Sequence, residues 1–209
     1  MSNKKREFFL VLIIVIAVAA VSYIAVIRNE SNISKNQNTA NTPLSTYTNQ
    51  KYGIQIDYPY LMTATSTFST SYLLPNNWNV NGPQTPGDQI VSIQYPGSDN
   101  ILSAQVRIGA STVSASVASC LKFNSNFATS TKNINGVDFI YSIGSDAAMS
   151  HFSSVKSYRA IHNSTCFAID EVVYGTNPQV YSPPAHVPFD QVVSQSTLDG
   201  VVDSFTFIK

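Results

Sequence analysis

Apolar residues are laid out along this chain in two different ways. Between Phe8 and Ile27 they are continuous: twenty residues, FFLVLIIVIAVAAVSYIAVI, without a charge. At about 1.5 Å of rise per residue, a helix of that length crosses a hydrocarbon core of roughly 30 Å. From position 46 onward the apolar residues come instead in short alternating runs. Tyr52, Ile54, Ile56 and Tyr58 alternate with polar neighbours up to Pro59, the pattern of a half-buried strand. Thr46 to Thr48 are expected to pair with that strand across an Asn49-Gln50 turn.

The next clear signal is a hairpin. Val91, Ile93 and Tyr95 alternate, Pro96-Gly-Ser-Asp-Asn100 turns, and Leu102, Ala104, Val106 and Ile108 alternate back. The period then changes. Val113, Val117, Cys120 and Leu121 recur at i, i+4, i+7 and i+8, which predicts a helix from about Thr112 to Phe123 with that stripe inward. Asn135-Gly136 turns into Val137, Phe139, Tyr141 and Ile143. Two further strands are expected at about Ser153–His162 and Thr165–Tyr174, joined at Asn163-Ser164. The second is apolar on both faces (Phe167, Ile169 and Val173; Ala168, Val172 and Tyr174), as a central strand covered on both sides should be. A final helical segment carries Leu198, Val201, Val202 and Phe205 on one side, with Ser196-Thr-Leu-Asp199 resembling a capping box. Phe205 to Ile208 fits a closing edge strand. The fold class is α+β: an antiparallel sheet of five to seven strands flanked by two or more helices and preceded by one N-terminal transmembrane helix.

Charge orients this layout. Lys4, Lys5 and Arg6 precede the apolar stretch against a single Glu7, while Arg28 beyond it is offset by Glu30. The positive-inside rule then places residues 1–7 in the cytoplasm, residues 8–27 across the cell membrane, and the rest outside. A cleaved signal peptide is the rival, since Ala17-Val18-Ala19 fits a processing site. The apolar run continues well past it, however, and is longer than the usual h-region of about 7–15 residues. Residues 28–45 are rich in Asn, Ser and Thr, lack periodicity and read as a flexible polar tether. Residues 46–209 form one domain of ordinary size. That domain carries seven bases and ten acids, a net charge of −3 with no basic patch, which argues against a nucleic-acid partner.

Two segments carry a family resemblance. Lys51-Tyr-Gly-Ile-Gln-Ile-Asp-Tyr-Pro59 near the start, and Phe189-Asp-Gln-Val-Val with Val202-Asp-Ser-Phe-Thr-Phe207 at the end, resemble the PsbP-like family, most of all its uncharacterised, membrane-anchored prokaryotic members. The resemblance runs from about Thr46 to Lys209 and implies an α/β/α sandwich around an antiparallel sheet. It implies no activity, because such relatives serve mainly as binding or assembly subunits. Tyr60-Leu61-Met62 departs from the acidic-Trp pair usual after the Tyr-Pro, and no residues here carry photosystem or Ran binding.

Candidate chemistry is sparse. Ser153-Ser-Val-Lys156 and Ser119-Cys-Leu-Lys122 match S-x-x-K and Ser98-Asp-Asn100 matches S-D-N, but K-T-G is missing and the order is wrong for a serine acylase. His151, His162 and His186 have no metal-ligand spacing. They could meet Asp170-Glu171 only by convergence in the fold, and Lys156 and Arg159 on the adjacent strand are the simpler partners for those acids. Cys120 and Cys166, the only cysteines, suggest a disulfide in an external domain, with two buried thiols as the alternative. Two Pro-rich loops, Tyr72–Gly87 and Gly175–Pro188, carry Tyr72, Trp78 and Tyr181, residue types enriched at binding hot spots; a Trp78 folded back as a plug is the competing reading. The function that follows is a membrane-anchored, non-catalytic extracytoplasmic binding or assembly domain. It needs no cofactor or metal, and its partner is a protein or envelope ligand. An extracytoplasmic enzyme or metal-binding protein using loop His and acidic residues, and a structural or adhesive envelope component, are the alternatives.

Overall fold

Alternation becomes strand pairing from residue 43 to the C-terminus. The computed structural model describes residues 43–66, 78–80, 82, 85–96, 101–123, 128–148, 150–176 and 191–209. Pro43–Lys209 fold as one unit, separate from Met1–Thr42. The basic head, the Phe8–Ile27 stretch and most of the tether lie outside the described residues, as do Tyr72 and Tyr181. Among the described residues no helix is long and apolar enough to cross a membrane.

β1 (Leu44–Asn49) pairs antiparallel with β2 (Ile54–Pro59), Tyr47 opposite Ile56. β1 thus begins two residues before the domain boundary read from the sequence. β3 (Thr63–Thr65) pairs with β4 (Asp88–Gln94), and β4 with β5 (Ile101–Ser111), Val91 opposite Ile108 and Ile93 opposite Val106. α1 (Ser114–Ser119) follows. β6 (Thr129–Ile134) and β7 (Val137–Ala148) form a hairpin, as do β8 (His151–His162) and β9 (Thr165–Thr176). α2 (Gln191–Asp203) and the two-residue β10 (Thr206–Phe207) end the chain.

Seven strands make one antiparallel sheet in the order β3-β4-β5-β9-β8-β7-β6. The other three make a second sheet, β1-β2-β10, where the sequence pattern predicts a single one. The small sheet exists because β10 pairs with β2, Thr206 opposite Gln55 and Phe207 opposite Ile54. The closing strand therefore docks on the opening hairpin instead of on the large sheet. Ser204 Oγ accepts a hydrogen bond from the Asp57 N–H at 2.9 Å and fixes the same junction.

The main core lies between one face of the large sheet and a layer made of α2 and the small sheet. Ile54 and Ile56 from β2, and Leu198, Val201, Val202 and Phe205 from α2 and its end, meet Val106, Ile108, Phe139, Tyr158, Ile169 and Val173. Asn135, at φ 47° in the β6–β7 turn, donates through Nδ2 to the carbonyls of Asp203 and Phe205 at 2.9 and 2.8 Å. The first of these is an acceptor that the helix C-terminus leaves open. Gly136 follows at φ 88°, so the two residues supply the left-handed pair that a tight hairpin requires.

Two helix readings need correction. α1 is six residues long and not a twelve-residue amphipathic helix. Its N-cap Val113 is extended (φ −69°, ψ 128°), and Val113 and Leu121 are both 44% exposed. So short a helix presents about one turn to the sheet, and Ser116 and Cys120 fill it. Ser196 lies inside α2 and is not its N-cap, because the helix begins at Gln191. The implied α/β/α layering holds on the α2 side, while the other face carries only α1 among its described helices.

Cys120, just past α1, is bonded to Cys166 of β9, with Cα atoms 5.6 Å apart and a separation of 46 in sequence. Closing a loop of that length stabilises by roughly 4 kcal/mol in the chain-entropy model. Denaturant unfolding with and without a thiol reductant is expected to show a loss of that order on reduction. Coincident curves, with reduction verified by thiol titration, would contradict it.

Candidate functional site

β9 divides the domain's chemistry. Phe167, Ile169, Glu171 and Val173 face the main core, and Cys166, Ala168, Asp170, Val172 and Tyr174 face the other way. The second face is assembled from a crossing strap. Trp78 packs against Cys120, Cys166 and Ala168, with Val117 of α1 alongside. Its indole N–H donates to the Thr85 carbonyl at 2.6 Å. The backbone of Trp78 runs so close to β5 that a Cβ on Gly109 would sit 2.1 Å from the Trp78 carbonyl oxygen. Only glycine admits that approach. Ser111 and Ser116 both donate to the Pro86 carbonyl at 2.6 Å and pin the returning end of the strap.

Trp78 is 4% exposed. Its assignment to a binding surface is therefore corrected. A ring buried against a disulfide and a sheet acts as a plug, and only its rim borders the open surface.

Beside the plug the second face turns polar. Register brings Arg107 of β5 opposite Asp170 and Arg159 of β8 opposite Ala168. Asp170 accepts from Arg159 Nη1 at 2.9 Å through one oxygen and from the Val80 N–H at 2.8 Å through the other. One carboxylate thus holds a buried guanidinium and ties down the strap. The Phe123 ring lies 5.6 Å from the Arg159 guanidinium carbon. Burial pushes the Arg107 guanidinium down from its ordinary value, and the Asp170 charge opposes that shift.

Glu171 projects into the opposite layer. Tyr158 Oη donates to it at 2.9 Å, Gln195 Nε2 of α2 donates at 2.6 Å, and Lys156 Nζ lies 3.6 Å away while holding Asp199 at 2.6 Å. Burial pushes the carboxyl up to about 7 and outweighs the Lys156 charge, which pulls it down. A carboxyl poised near neutrality is a signature shared by active sites and by structural networks. Both oxygens here are satisfied by protein and the group is enclosed, so the cluster locks α2 to the sheet.

Among the described residues, an open depression of about 610 Å³ lies where the strap meets the small sheet. Lys51, Tyr52 and Asp88 line one side, and Trp78, Thr85 and Gly87 the other. Lys51 Nζ bonds Asp88 at 2.7 Å and Tyr52 Oη donates to the same carboxylate. The hydrogen bond from Lys51, then that from Tyr52, hold the Asp88 carboxyl below its ordinary range. Sequence reasoning missed this triad, and no local signal could have found it. Asp88 lies 36 residues from Tyr52 and neither stands in a motif.

The remaining candidates do not converge. His151 and His162 stand at opposite ends of β8, roughly 36 Å apart at about 3.3 Å per residue. They stack on Tyr174 and Phe207 respectively, and His186 lies outside the described residues. Among the described residues no group of three or more His, Cys, Asp or Glu is placed to hold a metal ion. Ser119 Oγ donates to the Ala115 carbonyl at 2.8 Å, the ordinary bond of a helical serine.

No family model matches the chain, and no curated protein matches it. A crystal structure from Bacteroides thetaiotaomicron VPI-5482 overlaps 78% of this chain at 13% identity with a TM-score of 0.46; this chain spans 48% of that one. The solution structure of cyanobacterial PsbP (CyanoP) from Synechocystis sp. PCC 6803 overlaps 79% of this chain, and 93% of its own length is covered, at 10% identity and a TM-score of 0.44.

Two outcomes follow from the burial. Trp78→Ala is expected to cost roughly 3–5 kcal/mol in denaturant unfolding, as for other truncations of buried aromatics; a loss within experimental error would return Trp78 to the surface. The folded state holds the Glu171 proton more tightly than the unfolded chain does, so this group's contribution to stability is lost as pH rises from about 4.5 to about 7. A tenfold difference in proton affinity between the two states is worth about 1.4 kcal/mol. Glu171→Gln should therefore gain on the wild type by roughly 3 kcal/mol between about pH 4.5 and about pH 8, and parallel stability profiles would rule that difference out.

Proposed function

We propose that this chain is a membrane-anchored, non-catalytic extracytoplasmic binding or assembly domain of PsbP-like fold, held by Phe8–Ile27 with its N-terminus in the cytoplasm. The observation that carries the reading is the cystine between Cys120 and Cys166. Disulfides persist in oxidising compartments and are rare in the cytosol. That agrees with a head of three bases, an uncharged stretch of twenty residues, and a polar tether leading outward. The PsbP-like assignment draws support from the two segments that carry the resemblance, because β2 and β10 are hydrogen-bonded neighbours.

The binding face is the depression beside Lys51, Tyr52 and Asp88, which replaces Trp78 as the centre of recognition. Its charged groups are exposed, with Lys51 and Asp88 side chains at 70% and 55%, so a partner meets them without unfolding the domain. Exposed ion pairs of this kind contribute little to stability, because water screens them. They are therefore free to serve recognition. The partner is a protein or an envelope ligand.

Protease added to intact cells or spheroplasts is expected to remove the domain and leave the anchor fragment. Protection until lysis would reverse the topology. On crosslinked membranes bearing the full chain, a partner captured by the wild type should be lost from a Lys51→Glu/Asp88→Lys variant that melts within a few degrees of it. Equal capture by both would place the binding face elsewhere.

A further inference from the structure

Among the described residues, three of the buried hydrogen-bonding atoms left unmet on the second face of the large sheet cluster together. Arg159 Nη2, Ser157 Oγ and Ser142 Oγ have no partner. All three residues are at most 1% exposed. They are also neighbours. Ser142 of β7 stands directly opposite Ser157 of β8, and Arg159 follows two residues later on the same face of the same strand. Residues so related have side chains roughly 5–8 Å apart, close enough to reach one small molecule together.

Buried polar atoms are almost always hydrogen-bonded, and three unmet ones side by side mark a place where something else is held. Charge says what kind of thing. The cluster is bordered by Arg159 itself, whose Nη1 is occupied by Asp170 Oδ1, while the second Asp170 oxygen is engaged by the Val80 N–H. Asp170 stands opposite Ser157 in the register, yet both its oxygens are committed and neither reaches Nη2 or the serine. Arg107, also buried, adds a second cation to the same face. Two guanidiniums against one carboxylate leave the field at the three atoms positive. Nη2 can only donate, and each serine hydroxyl can rotate to donate.

We infer that Arg159 Nη2, Ser157 Oγ and Ser142 Oγ form a site for a small monovalent anion, of the halide or simple carboxylate class, held on the second face of the sheet. The shared chemistry is a compact single negative charge accepting hydrogen bonds from a guanidinium and two hydroxyls. Full burial of the three donors limits the occupant to a few heavy atoms. This site is separate from the open depression by Lys51 and does not depend on membrane anchoring. Its consequence is that the domain's stability is set in part by the anion composition of its surroundings.

The test is thermal unfolding of the full chain in nonionic detergent, at constant ionic strength, in chloride, formate or gluconate. Gluconate serves as the anion too large to enter. The melting temperature is expected to rise with the logarithm of chloride or formate concentration and to stay level in gluconate, as mass action on a native-state site requires. Ser142→Ala and Ser157→Ala, singly and together, delete donors without removing packed carbon. They should weaken the apparent anion affinity by roughly tenfold or more while the gluconate melting temperature holds or rises. Line broadening of the chloride-35 resonance by the wild-type chain, relieved by formate and absent in the double variant, separates site binding from general salt effects. A response to chloride alone assigns a halide site, and a response to formate alone a carboxylate site. Identical melting temperatures in all three salts, or an anion response that survives in the double variant, would overturn the inference.

Discussion

A strand with water on neither side dictates this domain. From Cys166 to Gly175 every residue of β9 is buried, so the sheet around it needs a cover on each face, and the chain supplies two covers of different kinds. Toward Phe167, Ile169 and Val173 the cover is apolar: α2 and the small sheet, joined through Phe205 and β10. Toward Ala168 and Asp170 it is a strap of irregular backbone whose polar groups must be met one by one. Asp170 meets Val80, Ser111 and Ser116 meet Pro86, and Thr85 meets the Trp78 indole. The disulfide fastens α1 at the end of the same face.

Adjacent acids in one strand show how strongly this partition acts. Asp170 and Glu171 are neighbours in sequence and point into different layers. The first meets a guanidinium and a backbone N–H; the second meets a phenol and an amide, with an ammonium at longer range. Their surroundings differ because β-strand side chains alternate. Lys156 and Arg159 on β8 are the partners in both cases, one for each side.

Local signals in the sequence are good guides wherever one residue's fate depends on its near neighbours. The Tyr52–Tyr58 alternation becomes β2, the Pro96–Asn100 segment falls between β4 and β5, and Asn135-Gly136 and Asn163-Ser164 are both left-handed turns. The two-sided burial of β9 is visible as apolar residues on both of its faces, interrupted only by Asp170 and Glu171. What stays hidden depends on contacts between distant segments. β6, Thr129–Ile134, is mostly polar and exposed and carries almost no period. The second sheet needs β10 to choose β2, a choice that no local pattern encodes. Val113 and Leu121 have helical spacing but not enough helix. Trp78 has the composition of a recognition residue, and only the bare backbone of Gly109 across from it shows that the ring is packed inward. The Lys51–Tyr52–Asp88 triad and the Ser142–Ser157–Arg159 cluster escape a sequence reading for the same reason, since register and folding bring them together and motif does not.

The small sheet has a meaning for the chain's history as well as for its packing. Its first two strands are the earliest part of the domain to be synthesised, and its third is made of Thr206 and Phe207, close to the last residue, Lys209. α2, which carries Leu198, Val201 and Val202 into the core, is made only shortly before. A ribosome encloses the trailing tens of residues of a growing polypeptide. The layer over the main core therefore closes only after these last residues have been released, and until that moment the face bearing Ile54 and Ile56 has no lasting cover. In order of synthesis this layer is thus begun by the first hairpin and completed by β10.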